Sequence, residues 1–411
     1  MVMEPVPATA TDVFSHHLSR DSEIKMTMVV RIPHRVDRSV LTDAVSAVMD
    51  AEPILRSYLR HEDDWLSWHH DPEMSASQIV KEHESHDGDD DRFCLGALGV
   101  HSPPLWEVNL AHGDEDTVAI SMSHALGDGK ALMYLSDLVL RVYAGDPAPS
   151  RATSIPERSL DKLAKPEVAI GDSFLMNGVS AWPSLYVSRG MKKGRLVKRT
   201  LGAKQFAAAR SAWKSAEGAT VNDLLLASLA LSLRDLTGKS DDAVVSATAD
   251  LRRYAVDKVP DIANFSSNYA IGLGDLKDAE MKDAVRTVKT EMDRLKKADE
   301  LGIEDLEMFR RINTMGQMDS LIESLYSLDE LDKALYFVTN TGNIVWSPAV
   351  IDSLGPTKAY IAYPGIRPPT LGVVCSSHAG ELNINLGHYE GLMEGRADEL
   401  LDRMIGHICS I

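Results

Sequence analysis

Apolar and polar positions alternate with period two in several short runs and recur at helical spacing in others. Residues 26–33 (Met-Thr-Met-Val-Val-Arg-Ile-Pro) read as a strand. Asp37 then caps a helix over 40–52. Strand-like runs follow at 54–60, 105–110 and 117–123, and a helix over 130–143. A polar stretch containing Pro147, Pro149, Pro156 and Pro166 breaks the pattern and reads as a linker or lid. The second half restarts in the same style. It predicts helices over 203–216, 220–236, 282–297, 303–325 and 396–408, and strands over 242–249, 335–340 and 359–363. A hairpin is predicted from 371–376 and 381–386, around Ser377-His-Ala-Gly380. Strands and helices mixed within each half predict an α+β chain of two similar domains, 1–165 and 201–411, joined by a crossover over 166–200.

Composition narrows the function. The chain has 411 residues, and 43 Lys and Arg against 61 Asp and Glu give a formal charge of -18. That excess opposes nonspecific contact with nucleic acid or an anionic membrane. The three cysteines, Cys94, Cys375 and Cys409, are widely spaced and form neither a disulfide framework nor a metal-ligand spacing. The N-terminus lacks the basic and apolar blocks of a signal peptide, and no apolar run is long enough to span a bilayer. The expectation is a cytoplasmic monomer with no nucleic-acid partner and no membrane insertion.

One hexapeptide carries chemistry. His124-Ala-Leu-Gly-Asp-Gly129 follows the strand-like run 117–123 and precedes the 130–143 helix. A chance H-x-x-x-D-G match has an expectation of roughly 0.1 in a chain with 14 His and 27 Gly, so the match is informative. A histidine leaving a strand into a tight turn can serve as a general base. The turn is expected to need glycines because two of its positions take backbone conformations that side chains forbid. The base must start neutral, near the ordinary imidazole pKa.

The hexapeptide resembles the signature of the condensation-domain and coenzyme A-dependent acyltransferase superfamily, which includes chloramphenicol acetyltransferase, plant BAHD acyltransferases and peptide-synthetase condensation domains. Further segments are similar in order along the chain: 52–58 (Glu-Pro-Ile-Leu-Arg-Ser-Tyr), 218–227 (Gly-Ala-Thr-Val-Asn-Asp-Leu-Leu-Leu-Ala), 250–254 (Asp-Leu-Arg-Arg-Tyr) with Asn264-Phe265, and Thr339-Asn-Thr-Gly342. Two features depart from the family. Ser123 stands where many members carry a second His, and the DFGWG motif of the plant BAHD group is absent.

The resemblance implies two chloramphenicol-acetyltransferase-like domains forming a pseudo-dimer, with His124 at their interface as catalytic base. It implies transfer of an acyl group from a thioester, acyl-coenzyme A or a phosphopantetheine arm, to a hydroxyl or amine, with no permanently bound cofactor. It also implies that Asp128 faces away from the site and pairs with an arginine, Arg252 or else Arg253, so that Asp128, Gly129 and Arg252 brace the loop. Asn340 and Thr339 are candidate oxyanion donors, or turn residues capping their own backbone. The basic run 192–199, with Lys192, Lys193 and Arg195, is a candidate site for donor phosphates or else a solvated crossover. The rival enzyme is a condensation enzyme taking its acyl donor from a separate carrier protein and forming an amide. The rival of another class is a catalytically silent docking domain of the same fold. Residues 16–21 mimic the hexapeptide but end in Ser22 and follow no strand, and read as helix surface.

Overall fold

The computed structural model describes residues 3–22, 25–84, 91–96, 98, 103–164, 182–187, 193–330, 333–363, 365–393 and 395–410. Lys192 lies outside them. The first half contains β1 (Val6–Pro7), α1 (Ala10–Asp21), β2 (Lys25–Ile32), α2 (Arg38–Ala51), β3 (Ser57–Glu62), β4 (Trp65–His70), α3 (Ala76–Ile79), β5 (Val80–His83), α4 (Asp91–Cys94), β6 (Trp106–Ala111), β7 (Asp116–Ser123) and α5 (Gly129–Tyr143). The second contains β8 (Trp182–Pro183), β9 (Gly194–Leu201), α6 (Ala203–Glu217), α7 (Val221–Thr237), β10 (Ala243–Asp250), β11 (Ser266–Gly274), α8 (Met281–Ala298), α9 (Ile303–Arg311) and α10 (Met315–Glu330). It ends with β12 (Lys333–Asn343), α11 (Pro348–Leu354), β13 (Lys358–Ala362), β14 (Thr370–His378), β15 (Glu381–Tyr389) and α12 (Arg396–Ile408).

Each half is built on a main sheet with helices packed on it, and the first half adds a small three-stranded sheet, β1-β4-β3, in an α+β arrangement. The first sheet runs β13-β2-β7-β6-β5, and α2 and α5 pack against each other beside it. Period-two alternation sends Met26, Met28, Val30 and Ile32 of β2 into one core, while Val29 meets Phe93 and Cys94 on the other face. The second sheet runs β11-β10-β12-β14-β15-β9, with β8 paired to β12. On β12, Ala334, Tyr336 and Val338 enter the core beneath α7, α8 and α12, and Leu335 faces the first core instead. The opposite face of β12 is therefore free to look toward the first half.

The structure departs from the sequence expectations in identifiable places. Strand β13 belongs to the 201–411 span but completes the first-half sheet by pairing antiparallel with β2. Strand β9, placed in the 166–200 crossover by its charge, is the edge of the second sheet and pairs with β15 throughout. Its basic residues suit an edge, where charge discourages pairing with other chains. Strands β1, β4, β5, β8 and β11 and helices α3, α4 and α11 were not predicted. The predicted helix over 303–325 breaks at 312–314 into α9 and α10, and residues 53–56 form a 3-10 turn before β3. Residues 16–21 lie in a helix as expected, yet His17 is buried rather than on the surface, with Nδ1 3.6 Å from Asp319.

Candidate active site

Strand β7 is buried along its whole length and delivers His124 at its end. Asp128 caps α5: its Oδ1 accepts from the backbone N–H of Lys130 and Ala131, each at 3.0 Å. Its Oδ2 accepts from Nη1 of Arg252 at 2.8 Å and from the N–H of Phe265 at 2.8 Å. Both carboxylate oxygens are thus occupied away from the imidazole. Arg252 also donates from Nη2 to the carbonyl of Ala263 at 2.9 Å. Arg253 instead donates to the carbonyl of Asp250.

The glycines of the turn have a different reason from the expected one. Neither Gly127 nor Gly129 lies in the left-handed region. A Cβ on Gly127 would stand 2.6 Å from Cβ of Ala131 and 2.8 Å from Cε of Met122, so close approach of the turn to its own strand and helix excludes any side chain. A Cβ on Gly129 would press on Thr341 at 3.1 Å.

A second clamp on the loop was not legible in the sequence. Arg158, from the proline-rich stretch read as linker or lid, is fully buried. Its Nη2 donates to the carbonyl of Leu126 at 3.0 Å, and Nη1 to the carbonyl of Ile262 at 2.7 Å. Nη2 and Nε meet the two oxygens of Asp12 on α1, at 2.8 and 3.1 Å. Trp68 donates to the same carboxylate at 3.0 Å. This stretch is a strap over the loop. No sequence motif announced it, because an arginine among prolines and serines looks like solvated chain until its carbonyl partners are placed.

The imidazole of His124 is oriented by its own main chain. The ring bonds its own backbone carbonyl, which only Nδ1 is near enough to reach. Asn264 Nδ2 donates to that carbonyl at 3.2 Å and to Ser15 Oγ at 3.1 Å. Asn264 Nδ2 also lies 3.3 Å from Nδ1 and 3.4 Å from the carbonyl of Thr11, so it is the bond of the ring to its own carbonyl that makes Nδ1 the donor and leaves Nε2 as the acceptor. The tautomer is assigned from this bonding pattern. Burial pushes the His124 pKa below the ordinary imidazole value, against the bond to its own carbonyl and the charges of Asp128 and Asp12. The expectation of an ordinary pKa is corrected to a lowered one, which still leaves the ring neutral at physiological pH. Tyr363 stands edge-on to the ring at 5.9 Å between centroids.

His124 lines a cavity of about 190 Å³ between the halves. Its wall includes Thr339 and Asn340 at the end of β12, and Asp128, Gly129 and Asn264. Asn340 Oδ1 accepts from the N–H of Gly342 at 3.1 Å, which leaves its amide NH₂ as the donor end of the side chain. Gly342 takes φ +87, so the strand end bends where a side chain would be strained. Lys130 Nζ donates to the carbonyl of Thr341 at 3.0 Å and ties α5 to β12 across the cavity rim.

The basic residues fall elsewhere. Neither Lys193 nor Arg195 lines the cavity. Arg195 donates to Glu390 at 2.6 Å, and Arg199 on the same strand is held by Asp398 and Asp402. Among the described residues no His, Cys, Asp or Glu cluster could hold a metal, and no helix is long and apolar enough to cross a membrane.

Comparison with solved structures identifies the architecture. TRI3 trichothecene 15-O-acetyltransferase from Fusarium sporotrichioides superposes with a TM-score of 0.73 at 13% identity, over 98% of this chain and 94% of that one. The first condensation domain of the CDA synthetase gives 0.67 at 16%, over 99% and 95%. This chain has the condensation-domain fold. Polyketide synthase associated protein 5 from Mycobacterium tuberculosis also shares it, with a TM-score of 0.67 at 15% identity, over 100% of this chain and 97% of that one. No family model and no curated protein sequence matches the chain.

Proposed function

We propose that the protein is an acyltransferase, moving an acyl group from a thioester, acyl-coenzyme A by preference, to a hydroxyl or amine. The observation that carries this reading is His124 at the end of a buried strand, its ring bonded to its own carbonyl, in the wall of a cavity at the junction of the halves. Nε2 takes the proton from the acceptor as its oxygen or nitrogen attacks the thioester carbonyl. The tetrahedral oxyanion is met by the Asn340 amide and the Thr339 hydroxyl. Collapse breaks the carbon–sulfur bond, and the imidazolium returns the proton to the leaving thiolate. No covalent acyl-enzyme is required, and Cys375 is no rival nucleophile. It is buried, is not part of the cavity wall, and its thiol pKa is pushed far up by desolvation.

One neighbour is named an O-acetyltransferase and another a synthetase condensation domain, which supports acyl transfer and its condensation rival alike and leaves the donor to be tested. The test is thiol release from acyl-coenzyme A, and from the same acyl group on a carrier protein, against a panel of alcohols and amines. His124→Ala should lower the rate roughly 10²–10⁴-fold with an unchanged melting temperature. A folded mutant that turns over like wild type overturns the mechanism. Turnover from the carrier alone would move the donor to the carrier-bound class and the product to the amide-forming reading.

A further inference from the structure

The wall of the cavity changes character across the second sheet. Asn268 on β11 pairs with Thr248 on β10, and Thr339 on β12 pairs with Val374 on β14. The register of Ser246 with Phe337 brings Thr248 beside Thr339, so these four side chains form one row along the cavity face. The row is polar on β11, β10 and β12 and turns apolar at Val374. The wall also carries Ile361 of β13, the neighbour of β14, and Phe14 and Leu18 of α1.

One pair of residues bounds the apolar side. Phe337 precedes Thr339 by two residues on the same face of β12, and its partner in register on β14 is Gly372. A Cβ on Gly372 would stand 2.7 Å from Cε2 and 3.1 Å from Cε1 of the Phe337 ring, and nearer still to Cζ. The ring therefore lies across the backbone of β14, in the space a side chain at 372 would fill, and from there forms part of the cavity wall. Gly372 is outside the left-handed region, so only the ring contact demands a glycine there.

We infer that Phe337, seated on Gly372, is the stop of an acyl pocket and limits the donor to short and medium apolar acyl groups. The inference rests on the acyl-transfer reading above. With the thioester carbonyl at Thr339 and Asn340, a chain that follows β12 away from His124 meets the ring two residues on, about 6.6 Å along the strand. On the polar side Ser266 Oγ donates to Asn264 at 2.8 Å and Asn268 Nδ2 to Asp305 at 3.2 Å, so their oxygens, with the Thr248 hydroxyl, are left to meet a polar acceptor.

The probe is a series of S-acyl pantetheine thioesters from acetyl to palmitoyl, the part common to coenzyme A and a carrier arm. Binding is measured by calorimetry on wild type, Gly372→Ala and Phe337→Ala, with thiol release from the acetyl ester followed in parallel. Wild-type affinity should rise about fourfold per methylene up to a break and fall beyond it. Gly372→Ala pushes the ring into the pocket and should move the break to shorter chains. Phe337→Ala should move it to longer ones, and Gly372→Ala combined with Phe337→Leu should bring it back toward wild type. Should Gly372→Ala fail to fold, Phe337→Ala needs no new space and still decides the matter. An unmoved break in folded Phe337→Ala, or wild-type affinity indifferent to chain length, overturns the inference. Acetyl transfer retained by the wild type in that case leaves the acyltransferase reading standing, and its absence from every thioester overturns that reading instead.

Discussion

At the residue scale the imidazole of His124 is set by three decisions: which nitrogen keeps its proton, where the ring points, and how readily it charges. The first two come from its own carbonyl and Asn264, and the third from burial. A lowered pKa predicts that the rate stays flat as pH falls to about 6.5, where an ordinary imidazole would already be half charged, and declines only below it. A rate profile breaking at or above pH 6.5 would refute this. Stability has the same sign. The unfolded imidazole binds a proton near pH 6.5 and the folded one only lower, so this contribution is intact above about pH 6.5 and is lost as pH falls below it. The carboxylate of the motif acts at one remove. Asp128→Asn and Arg252→Ala should each lower melting temperature and activity, with the double mutant less than additive. Full additivity would mean that the 2.8 Å pair does not work as a unit. His124, Asp128 and Arg252 were legible because the motif constrains residue type and spacing together. The reason for Gly127 was not, because close approach of Met122 and Ala131 exists only once strand, turn and helix are assembled.

At the element scale, long segments with one dominant period were legible in the sequence, among them β2, β7, α5, α7, α8 and α12. Elements whose signal was masked by another were not. In β9 the strand pattern is hidden by the charges that protect an edge. In β11 two glycines interrupt the alternation, and the register shift opposite them at Ala243 and Val244 and the positive φ of Gly274 show that they serve an irregular strand end. The proline-rich stretch was read correctly as a break in regular structure, but its role as a strap depends on Arg158. That guanidinium is buried with Asp12 and holds carbonyls from the His124 loop and from Ile262. Arg158→Met should leave the Asp12 carboxylate buried without its partner and destabilise the fold by about 3–5 kcal/mol, with activity falling alongside. A mobile lid would respond differently, with a changed KM and an unchanged melting temperature, so thermal denaturation of the variant separates strap from lid.

At the scale of the whole molecule, two similar halves suggest independent units, but the topology denies it. Strand β13 leaves the second half to close the first sheet on β2. Trp346, Val350, Leu354 and Ile361, all late in the chain, lie in the same buried cluster as Met28, Leu41 and Ile120. The His124 loop is likewise completed from across the junction, by Arg252 and Phe265 on Asp128 and by Thr341 on Lys130. A fragment ending before residue 200 would expose the edge of β2 and an incomplete core, and its His124 loop would lose the partners of Asp128. The expectation is therefore that the full chain melts in a single cooperative transition. Fragments 1–200 and 201–411 should each lack one, while co-refolding the two should restore both the transition and any thioester turnover. Calorimetry on the intact chain and the separate fragments decides it. Two resolved transitions, or a fragment 1–200 with its own sharp melt, would mean that β13 is an addition to a finished sheet and that the junction at His124 joins two domains rather than two parts of one.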